Sequence, residues 1–330
     1  MMNERTPSSP PRIAPVANVA NRPLWSVMIP AYNCHKFLRQ TLESILAQDP
    51  GPDKMQIEVI DDASTDADIG RLVAEAGGGR VGYYRQPENR GSLRNFETCI
   101  NRAHGQWVHI LHGDDYVENG FYKEIEQLFL RFPQAGAAYT GFSHVNEKGE
   151  YLSPHDQVLT VPGIIENWLS IIARFQRVQT PAIVVKRCVY EKLGSFFAVH
   201  YGEDWEMWVR IAAHYPVAHS PMCLANYRVH NSNISSQYFL SGQNMRDIAK
   251  VIDINQQYLP SDEKTKLTRA AKRNWSHYFA RASDMTYGRY KSPHQALVQS
   301  RMAFSLHQNS VSLYYLVKTY LKVLLRYKQR

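Results

Sequence analysis

The chain has 330 residues, 44% hydrophobic and 12% aromatic. That is enough for one large core plus an appended subdomain, since single cores stop growing at about 250–300 residues. The net charge is +8, yet residues 240–330 hold 16 Lys and Arg against five Asp and Glu, leaving the first 239 residues slightly acidic. Such a basic tail suits an anionic lipid, a nucleic acid or an acidic polymer. Cys34, Cys99, Cys188 and Cys223 stand far apart with no CxxC spacing, so neither a zinc cluster nor a disulfide framework is suggested and a reducing cytosol is expected. No stretch reaches the roughly 18 uninterrupted apolar residues of a bilayer span.

Residues 1–23, with Pro7, Pro10, Pro11, Pro15 and Pro23 and no apolar run of a secretion signal, are expected to form a disordered lead. From Trp25 to Asp115 short β-branched runs alternate with helical ones, the pattern of a parallel sheet covered by helices. Val27 to Tyr32 reads as a buried strand, and Phe37, Leu38, Thr41, Leu42, Ile45 and Leu46 then share one helical face. Strands are expected again at Ile57 to Ile60, Val81 to Tyr84 and Trp107 to Leu111, separated by a helix that Gly77-Gly78-Gly79 stops and another through Phe96 and Ile100. Polar residues collect at the strands' C-terminal ends, where open α/β sheets bind ligands. Ala137 to Val145 and Ala182 to Val185 read as strands, Glu203 to Tyr215 as an amphipathic helix and Val217 to Val229 as a last extended segment. From Leu240 the pattern is helical, broken at Pro260 and near Ser292-Pro293.

Five strings carry more than local structure: Ser26-Val27-Met28-Ile29-Pro30-Ala31-Tyr32-Asn33, Val59-Ile60-Asp61-Asp62-Ala63-Ser64-Thr65-Asp66, Gly113-Asp114-Asp115, Gly202-Glu203-Asp204-Trp205 and Tyr227-Arg228-Val229-His230. In this order they resemble the motif set of family-two glycosyltransferases, over about residues 24 to 235. The resemblance implies an α/β fold of the GT-A type, a mostly parallel central sheet with flanking helices, over residues 24–239. Residues 24–115 would form the nucleotide half, 116–239 the acceptor half and 240–330 a basic helical extension. It also implies an inverting transfer of a sugar from a nucleotide diphosphate, a UDP-sugar by default, to a hydroxyl of a glycan or lipid-linked acceptor in cell-surface polysaccharide or glycoconjugate assembly.

By the same resemblance Pro30 and Tyr32 border the nucleotide, Asp62 accepts a hydrogen bond from the base and Asp61 supports it. A turn-and-cap reading of this acidic string stays open. Arg94 is placed to meet the diphosphate or base, or else is a solvated surface arginine. Asp114-Asp115 is the expected metal motif: Asp115 ligates Mn²⁺ or Mg²⁺ directly, Asp114 holds ribose or metal-bound water, and His230 completes the coordination. Tyr116 stands where a strict Asp-x-Asp counted from Asp114 needs a carboxylate. Asp204 is the expected general base and Glu203 steers it or the acceptor, beside a glycine, Gly202, that lets substrate approach. Helix capping is the alternative for this pair. Thr180-Pro181 falls at an acceptor-side loop, and Tyr201, Trp205 and Trp208 are offered for sugar stacking or core packing.

A nicotinamide-dependent dehydrogenase is excluded because Asn33-Cys34-His35-Lys36 follows the first strand in place of Gly-x-Gly-x-x-Gly. Nucleic acid is not an expected partner, since no binding motif accompanies the basic tail. Glu206-Met207-Trp208-Val209-Arg210 is not the Gln-x-x-Arg-Trp string of processive relatives. An inactive sugar-binding module is the competing reading. In the tail, Leu316, Val317, Tyr320, Leu324 and Tyr327 share one helical face opposite Lys318, Lys322 and Arg326. That face is expected to lie on an anionic membrane at the inner side of the cell, or else to pack on the catalytic domain or on a second copy in a homodimer.

Overall fold

A computed structural model describes residues 5–16, 22–154, 157–230, 238, 241–288 and 291–325. Strand β1 (Trp25–Ala31), helix α1 (His35–Leu46), β2 (Met55–Asp61), α2 (Ile69–Gly77), β3 (Gly82–Arg85), α3 (Ser92–Arg102) and β4 (Trp107–Ile110) follow one another, and the strands lie in the order β3-β2-β1-β4. All three pairings are parallel. Every residue of β1 is buried, as expected of a strand covered on both faces. The expected stripe of α1 packs inward through Phe37, Leu38, Thr41, Leu42 and Ile45. The Asp68 side chain caps α2 by accepting from the Arg71 N–H at 2.9 Å, and Gly78 ends the helix in the left-handed region at φ 53°.

Next come β5 (Tyr116–Val117), α4 (Phe121–Arg131), β6 (Ala137–Val145), β7 (Tyr151–Pro154), β8 (Gly163–Ile164), α5 (Trp168–Ile172), a 3-10 turn (Thr180–Ala182), β9 (Ile183–Lys186), α6 (Arg187–Leu193), α7 (Glu203–Ala212) and β10 (Val217–Arg228). The sheet continues β4-β9-β6-β10-β5. Strand β9 runs antiparallel to both β4 and β6, and β10 runs parallel to β6 but antiparallel to β5. The expected mostly parallel sheet is therefore parallel in its first half and mixed in its second.

The chain divides into two compact units, Met1–Trp168 with Val178–Ala198 and Arg210–Val229, and Leu169–Arg177 with Val199–Val209 and His230–Arg330. The division differs from a single cut at residue 240. The start of α7, with Glu203 and Asp204, groups with the C-terminal helices α8 (Gln243–Asn255), α9 (Lys264–Gly288), α10 (Pro293–Leu306) and α11 (Ser310–Leu324).

Two expectations about the ends are corrected. Residues 5–16 are not a disordered lead but an ordered strap on the first unit. Pro7 and Ile13 are buried, and the carbonyls of Pro7, Pro11 and Ala14 accept from Ala198 N at 2.9 Å, Ser195 N at 2.9 Å and the Arg187 guanidinium at 2.9 Å. Proline-rich sequence forms no ladder of its own, but its carbonyls remain strong acceptors. At the other end, Lys318 and Lys322 do not form a free basic stripe. Both reach Asp284 of α9, at 2.9 and 2.6 Å. The exposed face of α11 is apolar, carrying Leu313, Tyr314, Val317, Tyr320, Leu321 and Leu324, while Arg326 and Tyr327 lie outside the described residues.

Candidate functional site

The loops that end β1, β2 and β4 are stitched together by their own polar residues. Asn33, at φ 51°, donates its N–H to Ser64 Oγ at 3.0 Å and accepts the Thr65 N–H at 2.8 Å through Oδ1. His35 Nδ1 lies 2.7 Å from Asp66. The Asp61-to-Asp66 string thus spends its side chains on joining loops, and Asp68 caps the following helix instead. Pro30 is buried within β1 and its carbonyl accepts the Gly113 N–H at 3.1 Å, whereas Tyr32 is exposed. Gly113 has no room for a side chain, since a Cβ there would stand 2.6 Å from the Cys34 sulfur.

Asp61 is fully buried and partnered on both oxygens: Oδ1 accepts from Ser64 N at 2.9 Å, and Oδ2 accepts from Tyr83 Oη at 2.8 Å and pairs with Arg85 at 2.5 Å. Asp62 organises the next loop, its two oxygens accepting the N–H groups of Arg90 at 2.7 Å and Gly91 at 2.8 Å. Burial pushes its carboxyl above the ordinary value, opposed by those two N–H groups and by the charge of Arg5. Each oxygen keeps a second lone pair, so Asp62 can still accept from a ligand. Arg94 is half-buried on α3 and pairs with Glu97 at 2.7 Å.

At the end of β4, ligand atoms of His112, Asp114 and Asp115 lie within 4.8 Å of one another. Asp115 is buried: Oδ1 accepts the Arg228 N–H at 2.8 Å, while Oδ2 meets no hydrogen-bond donor among the described residues and has His112 Nδ1 3.6 Å away. Burial, then the neighbouring Asp114, pushes the Asp115 carboxyl up to about 6. A buried oxygen without a donor, a second carboxylate and an imidazole make a donor set that fits a hard divalent cation. His112, stacked on Phe96 with ring centres 5.4 Å apart, was not singled out from the sequence; its position three residues before Asp115 was the available signal. His230, the expected third ligand, is outside this group and opens the second unit's C-terminal stretch.

Arg228 is the other residue that sequence reasoning passed over, although it stands in the Tyr-Arg-Val-His string. Nearly inaccessible to solvent, it donates from Nε to the Asp114 carbonyl at 2.8 Å, from Nη1 to the Asn146 and Glu147 carbonyls at 3.1 Å each, and from Nη2 to Gln40 Oε1 at 2.6 Å. The rings of Phe37 and Tyr116 lie 4.8 and 5.3 Å from the guanidinium carbon. Arg228 holds the Asp114-Asp115 turn from one side, and Thr41 of α1 holds it from the other, its hydroxyl lying 3.1 Å from the Gly113 carbonyl and 2.7 Å from that of Asp115.

In the second unit, Asp204 Oδ1 accepts the Trp205 N–H at 2.7 Å and Oδ2 accepts from Gln176 Nε2 at 2.5 Å. Burial, and then the Asp204 charge, holds the Glu203 carboxyl well above its usual range. Adjacent carboxyls with one pushed up in this way are a recurrent signature of acid–base sites. Asp247 steadies the approach to them by accepting the His200 and Tyr201 N–H groups at 3.2 Å each. Gly202 serves packing more directly than substrate access: at φ 87°, a Cβ there would stand 2.8 Å from Ile248 of α8. Trp205 and Trp208 are buried, and Trp205 lies 5.3 Å from Trp275, so both tryptophans serve the core and leave Tyr201 as the half-exposed ring. Thr180-Pro181 is buried too, the Pro181 carbonyl lying 3.0 Å from His109 Nε2.

The family model described as Glycosyl transferase family 2 matches residues 26–194. The chain belongs to this family. Over 223 residues this family 2 glycosyltransferase is 25% identical to the putative teichuronic acid biosynthesis glycosyltransferase TuaG of Bacillus subtilis, covering 65% of this chain and 82% of TuaG. Its matches to three uncharacterized glycosyltransferases of Rickettsia and Mycoplasma span only 36%, 44% and 31% of those proteins' lengths. Among solved structures, S. aureus TarS 1–349 in complex with UDP-GlcNAc superposes with a TM-score of 0.66 at 14% identity, over 92% of this chain and 91% of that one. Mannosyltransferase PcManGT of Pyrobaculum calidifontis, in complex with GDP-Man and Mn²⁺, gives 0.53 at 19% identity, over 97% and 92%. These likenesses establish the GT-A fold for this glycosyltransferase.

Proposed function

We propose that the protein transfers a sugar, with inversion, from a nucleoside diphosphate donor to a hydroxyl of a cell-surface polysaccharide or its lipid-linked precursor. The observation that carries this reading is the buried Asp115, with Asp114 and His112 beside it, at the end of a central strand where this fold presents its ligands. Asp115 and Asp114 would hold a divalent cation, with His112 within reach; His230 is kept as a further candidate ligand. Bound there, the cation supplies the positive charge that a departing diphosphate requires. Asp62 receives the base, Pro30 and Tyr32 border it, Asp61 braces it, and Arg94 meets the diphosphate. Asp204 takes the acceptor's proton, held in orientation by Gln176, and Glu203 steers it. TuaG's name supports the polysaccharide acceptor, and UDP-GlcNAc on TarS supports a UDP-sugar donor.

An exposed apolar row on α11 supports an acceptor held at a membrane. Among the described residues no helix is long and apolar enough to cross a membrane. The apolar row from Leu313 to Leu324 is nonetheless exposed, and the chain beyond Asp284 carries eight Lys and Arg and no acidic residue. The basic composition of this stretch favours an anionic membrane at the cytoplasmic face as what covers the row.

The test is a hydrolysis and binding screen of nucleotide-sugars, with and without Mn²⁺. One donor should release its nucleoside diphosphate slowly, and UDP should bind in a Mn²⁺-dependent manner that EDTA abolishes. Full turnover in chelator, or no binding of any nucleotide, overturns the reading.

A further inference from the structure

The strap of residues 5–16 precedes the stretch that matches the family, yet it ends at the loop organised by Asp62. Two separate clamps hold it. Ile13 is buried and the adjacent Ala14 carbonyl accepts from Arg187, a buried guanidinium that also donates to the Ile100 carbonyl. Pro7 is buried, its carbonyl accepts the Ala198 N–H, and Pro10 and Pro11 press on Gly194 so closely that a Cβ there would stand 2.8 Å from each. Between these clamps and the strap's far end only Thr6 intervenes before Arg5, so the position of Arg5 is set by packing.

Arg5 is exposed, and its guanidinium hydrogen-bonds Asn89 Oδ1. Asn89 in turn donates to the Asp62 carbonyl at 3.2 Å. A methyl group on Gly91 would stand 3.3 Å from Arg5 Nε, so the guanidinium lies directly over the turn whose N–H groups the Asp62 carboxylate accepts. A guanidinium carries five donors in a fixed fork, more than one bond to Asn89 consumes. Strong acceptor and strong donor therefore stand side by side at one place.

We propose that Arg5 determines which base the donor nucleotide carries. Resting on the reading that Asp62 receives the base, Asp62 accepts from a ring N–H while Arg5 donates to the carbonyl oxygen beside it. Uracil, thymine and guanine offer an N–H next to a carbonyl; cytosine and adenine turn a ring lone pair toward the carboxylate and an amino group toward the guanidinium. A site that hydrogen-bonds both groups rejects a ligand with the reversed pattern, because acceptor then faces acceptor at Asp62 and donor faces donor at Arg5.

The experiment compares UDP and CDP affinity, with Mn²⁺ present, for the wild-type chain, Arg5→Ala and Arg5→Lys. The wild type should bind UDP more tightly than CDP. Arg5→Ala should weaken UDP about tenfold or more, the usual scale for a hydrogen bond to a charged group, and leave CDP nearly unchanged. Arg5→Lys, with a donor but no fork, should fall between. Melting temperatures should stay together, since the Arg5 side chain is exposed. UDP binding by Arg5→Ala within twofold of wild type, or equal weakening of UDP and CDP, overturns the role of Arg5 and leaves the donor site standing. A wild type that binds neither nucleotide overturns the donor-site reading and this inference with it.

Discussion

Arg228 holds Asp115 twice over: its main-chain N–H donates to Asp115 Oδ1 at 2.8 Å, and its side chain, through the Asp114 carbonyl, fixes the turn on which that carboxylate stands. The residue bonds to the Asp114-Asp115 turn, to the β6–β7 connection and to Gln40 of α1 at once. Replacing it by Met keeps most of the volume but leaves those acceptors without their donor. Urea unfolding should show a loss of about 3–5 kcal/mol, the scale for breaking a buried charged network. A loss below about 1 kcal/mol would mean that water replaces the guanidinium freely.

Asp115→Asn keeps the bond to the Arg228 N–H and removes the charge. Mn²⁺-dependent UDP binding should disappear while the melting temperature holds or rises, because the native site already pushes this carboxyl up to about 6. Calorimetry of UDP with and without Mn²⁺ decides the matter. Undiminished Mn²⁺-dependent binding sinks the ligand assignment.

For Asp204→Asn the expected loss is in turnover and not in donor affinity. A positioned base contributes about 10²–10⁴ in rate, so kcat should fall by that factor while the UDP dissociation constant stays within a few fold. NMR of the product should show an anomer opposite to the donor's. Parallel loss of UDP binding would make Asp204 structural, and a retained anomer would contradict the displacement.

The Glu203 carboxyl offers a test through stability alone. Burial and Asp204 raise its folded value, so its contribution to folding is fully present below the unfolded value of about 4.3 and is lost as pH rises through the folded one. Glu203→Gln removes that loss. The variant should therefore be more stable than wild type at pH 8 by roughly 1 kcal/mol or more, and the advantage should shrink toward pH 5. An advantage that is constant across this range would show that Glu203 does not titrate differently in the folded state.

On α11, Leu321 and Leu324 are 51% and 78% exposed, so charging them should not disturb the core. The intact chain should sediment with phosphatidylglycerol vesicles at low salt, less so as salt screens the charge, and Leu321→Glu with Leu324→Glu should stay in the supernatant at an unchanged melting temperature. Equal sedimentation of both, or of neither, removes the membrane from the account.

What the sequence disclosed and what it withheld divide along the range of the interactions. The alternation from Trp25 to Leu111 marked β1 to β4 and their helices because each is local and buried on a regular period. The glycine stop after α2 was legible because it is local, and the Asp114-Asp115 turn was legible through the resemblance of its motif. Strand β9, which enters antiparallel between β4 and β6, and the grouping of Glu203 and Asp204 with the C-terminal helices depend on pairings that no local period encodes. The strap was misread because its prolines lack a ladder, although their carbonyls are all that the partners need. On α11 the periodicity gave an apolar face and a basic one, but could not say that a lone acid in α9, Asp284, would turn Lys318 and Lys322 inward.

The anchoring of Asp115 by Arg228 joins positions 113 residues apart, and that separation has a consequence for synthesis of the protein. At about 5–20 residues per second, roughly 6–23 seconds pass between the making of the one and the making of the other. During that interval β1 to β4 can pair, since their contacts are local and close quickly, but the acidic turn at the end of β4 has neither its main-chain partner nor the guanidinium that braces it. A nascent chain at this stage holds two neighbouring carboxylates on a turn tied to Thr41 and Pro30 but lacking its Arg228 brace, and a chain that stalls before β10 keeps them so. Cation binding should accordingly report the docking of β10, arising late in refolding and in one step with the closure of the sheet's mixed half.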